Sequence, residues 1–200
     1  MKDIRERILR KAFNLFSKKG FEGTKMDDIA NAVGINKATI YYYFESKKSL
    51  YQEVLYRRMS EFYMKVVEVV DELGDTPQEM VTHLVDLYFD FFLKNQTLWR
   101  LYLREICNGG KYLRDVIKRL VRENPLFKKG GMPVKLEEMG VTEGLESDGL
   151  HVWLNVLGMI FVHFLFYPFV EEVTGVKVDD EFVENRKKSV LEFLERAIWR

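Results

Sequence analysis

"GINKATIYYYF", residues 34–44, places three tyrosines in a row on a segment whose apolar residues are spaced for a helix. Ile40 and Phe44 are four apart, so they share one face. At about 100° per residue, Ala38 and Tyr42 fall on the opposite face, with Thr39, Tyr41 and Tyr43 on the flanks. Asn36 stands where a side-chain oxygen can cap the first turn. At most one phenol can be buried beside Ile40 and Phe44, so the tyrosines ring the outside of a short helix, and their hydroxyls need a partner there.

Upstream, Ile4, Ile8, Leu9, Ala12, Phe13, Leu15 and Phe16 follow helical spacing, and Gly20 is the expected stop. "GFEGTKMDDIANAVG", residues 20–34, reads as a loop and a second short helix with Met26, Ile29, Ala30 and Val33 as its buried stripe. Thr24 is expected to cap that helix, with Asp27 completing an acidic capping box, and Gly34 supplies the turn. Two short helices joined by a glycine-containing turn, the second polar on its outward face, describe a helix-turn-helix. Such a unit sets its second helix in the DNA major groove while neighbouring elements hold phosphates. A tyrosine hydroxyl can bond a phosphate oxygen or a base edge, and its ring can pack on a sugar or a thymine methyl. Ala38 allows close approach, Lys37 and Lys47 can reach phosphates, and Thr24 and Lys25 offer a hydroxyl and an ammonium at a helix start.

The formal net charge is zero, which argues against a polyanion binder until charge is divided by position. Residues 1–58 carry 13 Lys/Arg against 7 Asp/Glu, and the remaining residues carry 18 against 24. A basic amino-terminal module and an acidic remainder follow. The single cysteine, Cys107, excludes an intramolecular disulfide framework and fits a reducing compartment. "MKDIRERILRKAF", residues 1–13, has no uninterrupted apolar run of the secretory type, so a cytoplasmic location is expected.

Ser46 is placed to cap a helix from about 47 to 73; Gly74, Asp75 and Pro77 then punctuate the chain. Helices are expected over 77–94, 97–107, 110–123, 147–171 and 179–199, with a loop-like stretch over 123–147. No convincing strand period is present, so the fold is predicted to be all-α. "LHVWLNVLGMIFVHFLFYPF", residues 150–169, is uncharged for 20 positions, enough to span a bilayer. It contains His151, Asn155 and His163 and is flanked by acids, so no membrane partner is expected. One face is expected to pack on its own subunit and the other on a second copy. Phe182, Val190, Phe193, Leu194, Ala197 and Ile198 supply a matching stripe on the last helix. The many aromatics are core by default, yet they can also wall a pocket for an apolar, elongated or aromatic effector. Tyr102, His151, Trp153, Asn155 and His163 are the candidate polar contacts to such an effector. No catalytic, metal or cofactor motif is present: His151 and His163 are 12 apart, and there is no G-x-S-x-G elbow, phosphate loop or dinucleotide fingerprint. An enzyme is not expected.

Residues 1 to about 55 resemble the amino-terminal domain of the TetR family of transcriptional regulators. The resemblance rests on "F-x-x-x-G-F-x-x-T-x-M-x-x-I-A", "A-x-G-I-x-K-x-T-I-Y-Y-Y-F" and "S-K-x-x-L". It implies a three-helix helix-turn-helix domain over 1–50 and a larger helical effector-binding and dimerisation domain over 51–200. It also implies a palindromic double-stranded operator, a homodimer through helices near 147–171 and 179–199, and release by a small effector. Carried onto matching positions, it implies DNA contacts from Thr24, Lys25, Asn36, Lys37, Ala38, Thr39, Tyr41, Tyr42, Tyr43 and Lys47. Ala38 departs from the glycine common in the family, and Lys25 from a small hydroxyl residue. A helical ligand-binding or scaffolding protein that does not use its helix-turn-helix on DNA is the alternative.

Overall fold

The computed structural model describes residues 2–72 and 76–198; Leu73, Gly74 and Asp75, where the sequence sets the end of a helix and its punctuation, lie outside them. Among the described residues the chain is 84% helical and has no strand, as the sequence predicts. In chain order the helices are α1 Lys2–Gly23, α2 Met26–Val33, α3 Lys37–Tyr43, α4 Lys47–Glu72, α5 Pro77–Lys94, α6 Gln96–Cys107, α7 Lys111–Glu123, α8 Pro125–Lys128, α9 Gly131–Glu138, α10 Gly149–Thr174 and α11 Asp180–Ile198. They form two compact units that do not follow chain order. One comprises residues 1–63 and 95–123, the other 64–94 and 124–200.

In the first unit, α1 bends at Gly20 (φ 73, ψ 179) instead of ending there. The apolar stripes meet as spaced: Ile8, Ala12 and Phe16 of α1, Ile29 of α2, Ile40 of α3 and Leu50, Tyr51 and Leu55 of α4 are all buried. Each buried isoleucine, leucine or phenylalanine among these contributes roughly 1.5–3 kcal/mol. Gly34 closes α2 in the left-handed region (φ 76), and its N–H donates to the Ala30 and Asn31 carbonyls. A side chain there would strain the turn that sets α3 against α2. Ser46 and Ser49 cap α4 reciprocally, the Ser49 N–H donating to Ser46 Oγ at 3.0 Å and the Ser46 N–H to Ser49 Oγ at 3.3 Å.

Helices α6 and α7 also belong to this unit. Tyr51 of α4 donates its hydroxyl to the buried Glu105 carboxylate of α6 at 2.8 Å. Asp115 of α7 accepts from Gln52 at 2.8 Å, Arg119 pairs with Glu53 at 2.7 Å, and Glu123 accepts from the Tyr56 hydroxyl. Rising numbers on α7 meet rising numbers on α4, so the two helices run parallel and their amino-terminal ends lie together. Burial alone would raise the Glu53 carboxyl, but Arg119 and Arg5 hold it below the ordinary range.

In the second unit the stretch expected to be a loop, 123–147, contains α8 and α9. The prolines that suggest a loop instead sit where a helix tolerates them: Pro125 opens α8, and Pro133 is the third residue of α9, where no intrahelical N–H bond is needed. Helix α10 crosses α9 closely at Gly149, where a Cβ would lie 2.1 Å from the Pro133 carbonyl oxygen. Asp148 caps α10 by accepting from the His151 N–H at 2.9 Å. The ammonium of Lys187 on α11 is nearly enclosed and lies 3.2 Å from Asp90 and 3.5 Å from Asp86, which ties α11 to α5.

Helix α10 has two apolar faces. Val152, Val156, Ile160, His163 and Phe164 are buried in their own unit, while Leu150, Leu154, Val162, Leu165, Phe169 and Val173 form an exposed stripe along the other side. The helix is long and apolar enough to cross a membrane by composition. One face is buried in its own unit, as the sequence suggests, and the other lies bare on the single chain.

Candidate nucleic-acid interface

The short helix with three tyrosines is built as its pattern requires. Asn36 accepts the Ala38 N–H through Oδ1 at 2.8 Å, which satisfies a free donor of the first turn. Ile40 is fully buried and Phe44 nearly so, while Tyr42 is 77% and Tyr41 45% exposed. Tyr43 is half-buried, and its ring meets that of Tyr42 edge to face at 5.1 Å. Ala38 is exposed and Thr39 half-buried. The outward surface of α3 is therefore phenolic and small, and it carries no acidic group.

Surface ion pairs bridge α3 to α2 and α1 to α2. Lys37 on α3 reaches Asp27 on α2 at 2.8 Å, and this bond raises the lysine pKa. Lys19 on α1 reaches Asp28 at 2.9 Å; with the Lys25 N–H, 3.5 Å away, it lowers the Asp28 carboxyl below its usual range. Arg7 on α1 donates to the Val33 carbonyl at 2.8 Å and closes the far end of α2. Sequence spacing alone does not reveal Lys19 or Arg7, because their partners are fixed only when α1 packs across α2.

Two expectations need correction. Thr24 does not cap α2 and offers no hydroxyl outward: it is fully buried, and its Oγ1 donates to the Gly20 carbonyl at 2.8 Å. The bend at Gly20 leaves that carbonyl without its helical partner, and the threonine satisfies it. The residue before α2 is Lys25, exposed, with Asp28 rather than Asp27 accepting its N–H. Lys47 is also engaged. Its ammonium donates to the Phe21 carbonyl at 2.9 Å and the Thr24 carbonyl at 3.2 Å and lies 4.2 Å from the Phe21 ring centroid. It thus fixes the start of α2 as well as lying near it. Replacing Lys47 with alanine is expected to remove ~1–2 kcal/mol of stability and to weaken binding to all DNA sequences by one common factor. Thermal melting and anisotropy on two unrelated duplexes check this; a sequence-dependent loss would assign Lys47 to base reading instead.

The candidate effector residues do not converge. Trp153 and His163 join one aromatic cluster of the second unit: Trp153 lies 5.9 Å from Tyr88, and His163 lies 5.4 Å from Phe89 and 4.9 Å from Phe164. His151 is exposed and bound to Asp148 at 2.8 Å. Asn155 is exposed on a groove of about 590 Å³ between α10 and α11, with Val152, Met159, Arg186 and Phe193. Tyr102 belongs to the first unit, where its hydroxyl reaches the Leu55 carbonyl at 3.5 Å.

His163 is buried, its Nε2 has no hydrogen-bond partner, and burial pushes its pKa down to about 4. The unfolded chain takes up a proton near the ordinary value of 6.5 that the folded one refuses until about pH 4. The contribution is therefore complete above that ordinary value and is lost as pH falls through the window. His163→Phe is expected to flatten the decline of the melting midpoint across this range; an unchanged pH profile would remove His163 as its source.

A buried helix-turn-helix scaffold whose second helix turns a phenolic face free of acidic groups outward defines the class of helix-turn-helix DNA-binding domains. Residues 8–54 match the family profile described as "Bacterial regulatory proteins, tetR family". The chain is 50% identical over 50 residues to IcaR of Staphylococcus aureus (strain Newman), the negative transcriptional regulator of the biofilm operon icaADBC. That match covers 25% of this chain and only 27% of the relative. Over 194 residues it is 27% identical to the transcriptional regulator RutR of Escherichia coli (strain K12), covering 92% of this chain and 87% of that one. Among solved structures, the transcriptional regulator FadR of Bacillus subtilis in complex with stearoyl-CoA superposes with a TM-score of 0.67 at 22% identity, covering 94% of this chain and 96% of that one. The match to the tetR family is thus carried by residues 8–54, the helix-turn-helix module. The relatives named are transcriptional regulators, not enzymes.

Proposed function

We propose that this chain is a cytoplasmic, ligand-responsive repressor that binds a palindromic operator as a homodimer and leaves it when a small hydrophobic effector binds. The observation that carries the reading is the outward face of α3, where Tyr42 and Tyr41 stand exposed above a buried Ile40. Lys25, Asn36, Lys37, Ala38, Thr39 and Tyr43 complete the DNA-facing set, with Lys47 behind it. The bare stripe of α10, continued by Phe193 of α11 at 62% exposure, supports a dimer through these helices. Reading a palindromic operator would require two copies of α3 about 34 Å apart, one turn of DNA. Trp153 and the unpartnered Nε2 of His163 offer an apolar wall and a polar anchor for the effector, and an acyl-type ligand fits the stearoyl-CoA found in the Bacillus subtilis neighbour. The effector would bind better to a dimer whose reading helices are spread from groove spacing, so DNA binds that form worse.

Selection from a random-sequence DNA pool at fixed salt tests this reading. A palindrome with half-sites one turn apart is expected, and the recovered operator then reports effector release by acyl-coenzyme A thioesters. An unenriched pool, with and without cell extract, would favour the ligand-binding or scaffolding alternative.

A further inference from the structure

Charge follows the two compact units more closely than it follows the chain. The first unit holds 20 Lys/Arg against 11 Asp/Glu and the second 11 against 20. Within the first unit, residues 96–123 carry 7 Lys/Arg against 3 Asp/Glu, outside the helix-turn-helix. Glu105 is buried against Tyr51, and Asp115 and Glu123 are engaged by α4, so the acids of this segment are occupied. Arg100, Arg104, Lys111, Arg114, Lys118 and Arg122 are exposed, and none of them pairs with a carboxylate among the described residues. The four on α7 recur at helical spacing and form one cationic stripe.

The packing sets which end of the stripe matters. Because α7 runs parallel to α4, and Asp115 lies 3.8 Å from Lys48, Lys111 is one turn, about 5.4 Å, nearer the start of α4. The Tyr112 ring meets that of Phe21 at a 43° tilt with centroids 4.5 Å apart, and Lys47 reaches the Phe21 carbonyl. The guanidinium of Arg104 lies against Gly20, its Nη1 2.9 Å from where a Cβ would stand. Lys19, Arg104, Lys111 and Tyr112 line one cleft of about 380 Å³. The cationic end of the α6–α7 hairpin therefore shares the edge of the domain formed by Lys19, Lys47 and Lys48.

We infer that Arg104, Lys111 and Arg114 form a second phosphate-binding surface that grips the DNA backbone flanking the half-site. This rests on the DNA-binding reading above and extends it beyond the helix-turn-helix. The ligand is the sugar-phosphate chain, so the surface adds affinity and orientation without reading sequence. Lys118 and Arg122 lie about one and two turns beyond Arg114 along α7 and act only through the long-range field.

The test compares Lys111→Ala/Arg114→Ala with Lys118→Ala/Arg122→Ala by anisotropy on a random-sequence duplex of about 40 base pairs, roughly four helical turns. Each lost phosphate contact reduces the slope of log affinity against log salt by about 0.9. From about 50 to 200 mM salt, the first variant is expected to lose roughly tenfold less affinity than the unmodified protein, and the second to differ by less than about twofold. Lys111→Arg/Arg114→Lys should keep the original slope. Unchanged slopes in both alanine variants, or equal changes in both, overturn the assignment. Loss of self-association without DNA would assign the stripe to the acidic unit of a second copy and also overturn it. If the unmodified protein shows no salt-dependent binding, the DNA-binding reading itself fails, a result distinct from a variant that matches a binding parent.

Discussion

Tyr42→Ala is expected to lower operator affinity about ten- to hundredfold while leaving the dimer and the melting midpoint unchanged. At 77% exposure the phenol contributes little to the core, so its removal leaves no cavity. On DNA the same group would lie at the centre of the groove-facing surface, opposite the buried Ile40. Loss of one good base contact costs about 1–3 kcal/mol, which gives this range. Tyr42→Phe separates the roles of hydroxyl and ring. If hydrogen bonding dominates, phenylalanine behaves like alanine; if ring packing dominates, it retains most of the affinity. Unaltered operator binding in Tyr42→Ala would remove Tyr42 from the reading set and leave Ala38, Thr39 and Tyr41 to carry it.

The double substitution Leu154→Glu/Leu165→Glu on α10 is expected to convert the proposed dimer to monomers and to lower operator affinity more than about a hundredfold. Both leucines are about half exposed in the single chain, 54% and 48%, so the change costs the folded protomer little. In a two-fold interface each change is counted twice. Lost burial of roughly 1.5–3 kcal/mol per leucine is joined by the cost of enclosing four carboxylates without partners. Sedimentation equilibrium reads the mass directly. A variant that stays dimeric would place the interface elsewhere and leave the bare stripe of α10 to another role.

The helix-turn-helix was legible because its information is local: Ile40 and Phe44 on one face, Asn36 at the cap and Gly34 in the turn are set by neighbours within a few residues. Thr24 was misread because its partner, the Gly20 carbonyl, is freed only by a bend that the sequence marks simply as a stop. Lys47 looks like a phosphate ligand until Phe21 and Thr24 turn their carbonyls toward it. The short helices over 125–138 were hidden by Pro125 and Pro133, which signal loops unless their place in a first turn is known. The candidate effector residues scattered because residue type alone does not say whether Trp153 faces Tyr88 or whether His151 spends its ring on Asp148. Their convergence depends on the rotation of α10, and an all-round apolar helix gives the sequence no marker for that rotation.

The bond between Lys37 and Asp27 bears on how the protein would search DNA. The cation at the head of the reading helix is already neutralised in the free protein, and Lys19 is likewise held by Asp28. A random stretch of duplex gains little grip from either lysine without first displacing a carboxylate. In the DNA-binding reading proposed above, the phenols would meet the bases while these ammonium groups stay paired, which would shorten residence at wrong sites. A correct site, with the tyrosines seated, can hold the backbone against Lys37 long enough for phosphate to replace Asp27. On that reading the same four side chains would act as a weak electrostatic latch, and discrimination would gain a kinetic component that a bound complex alone would not reveal.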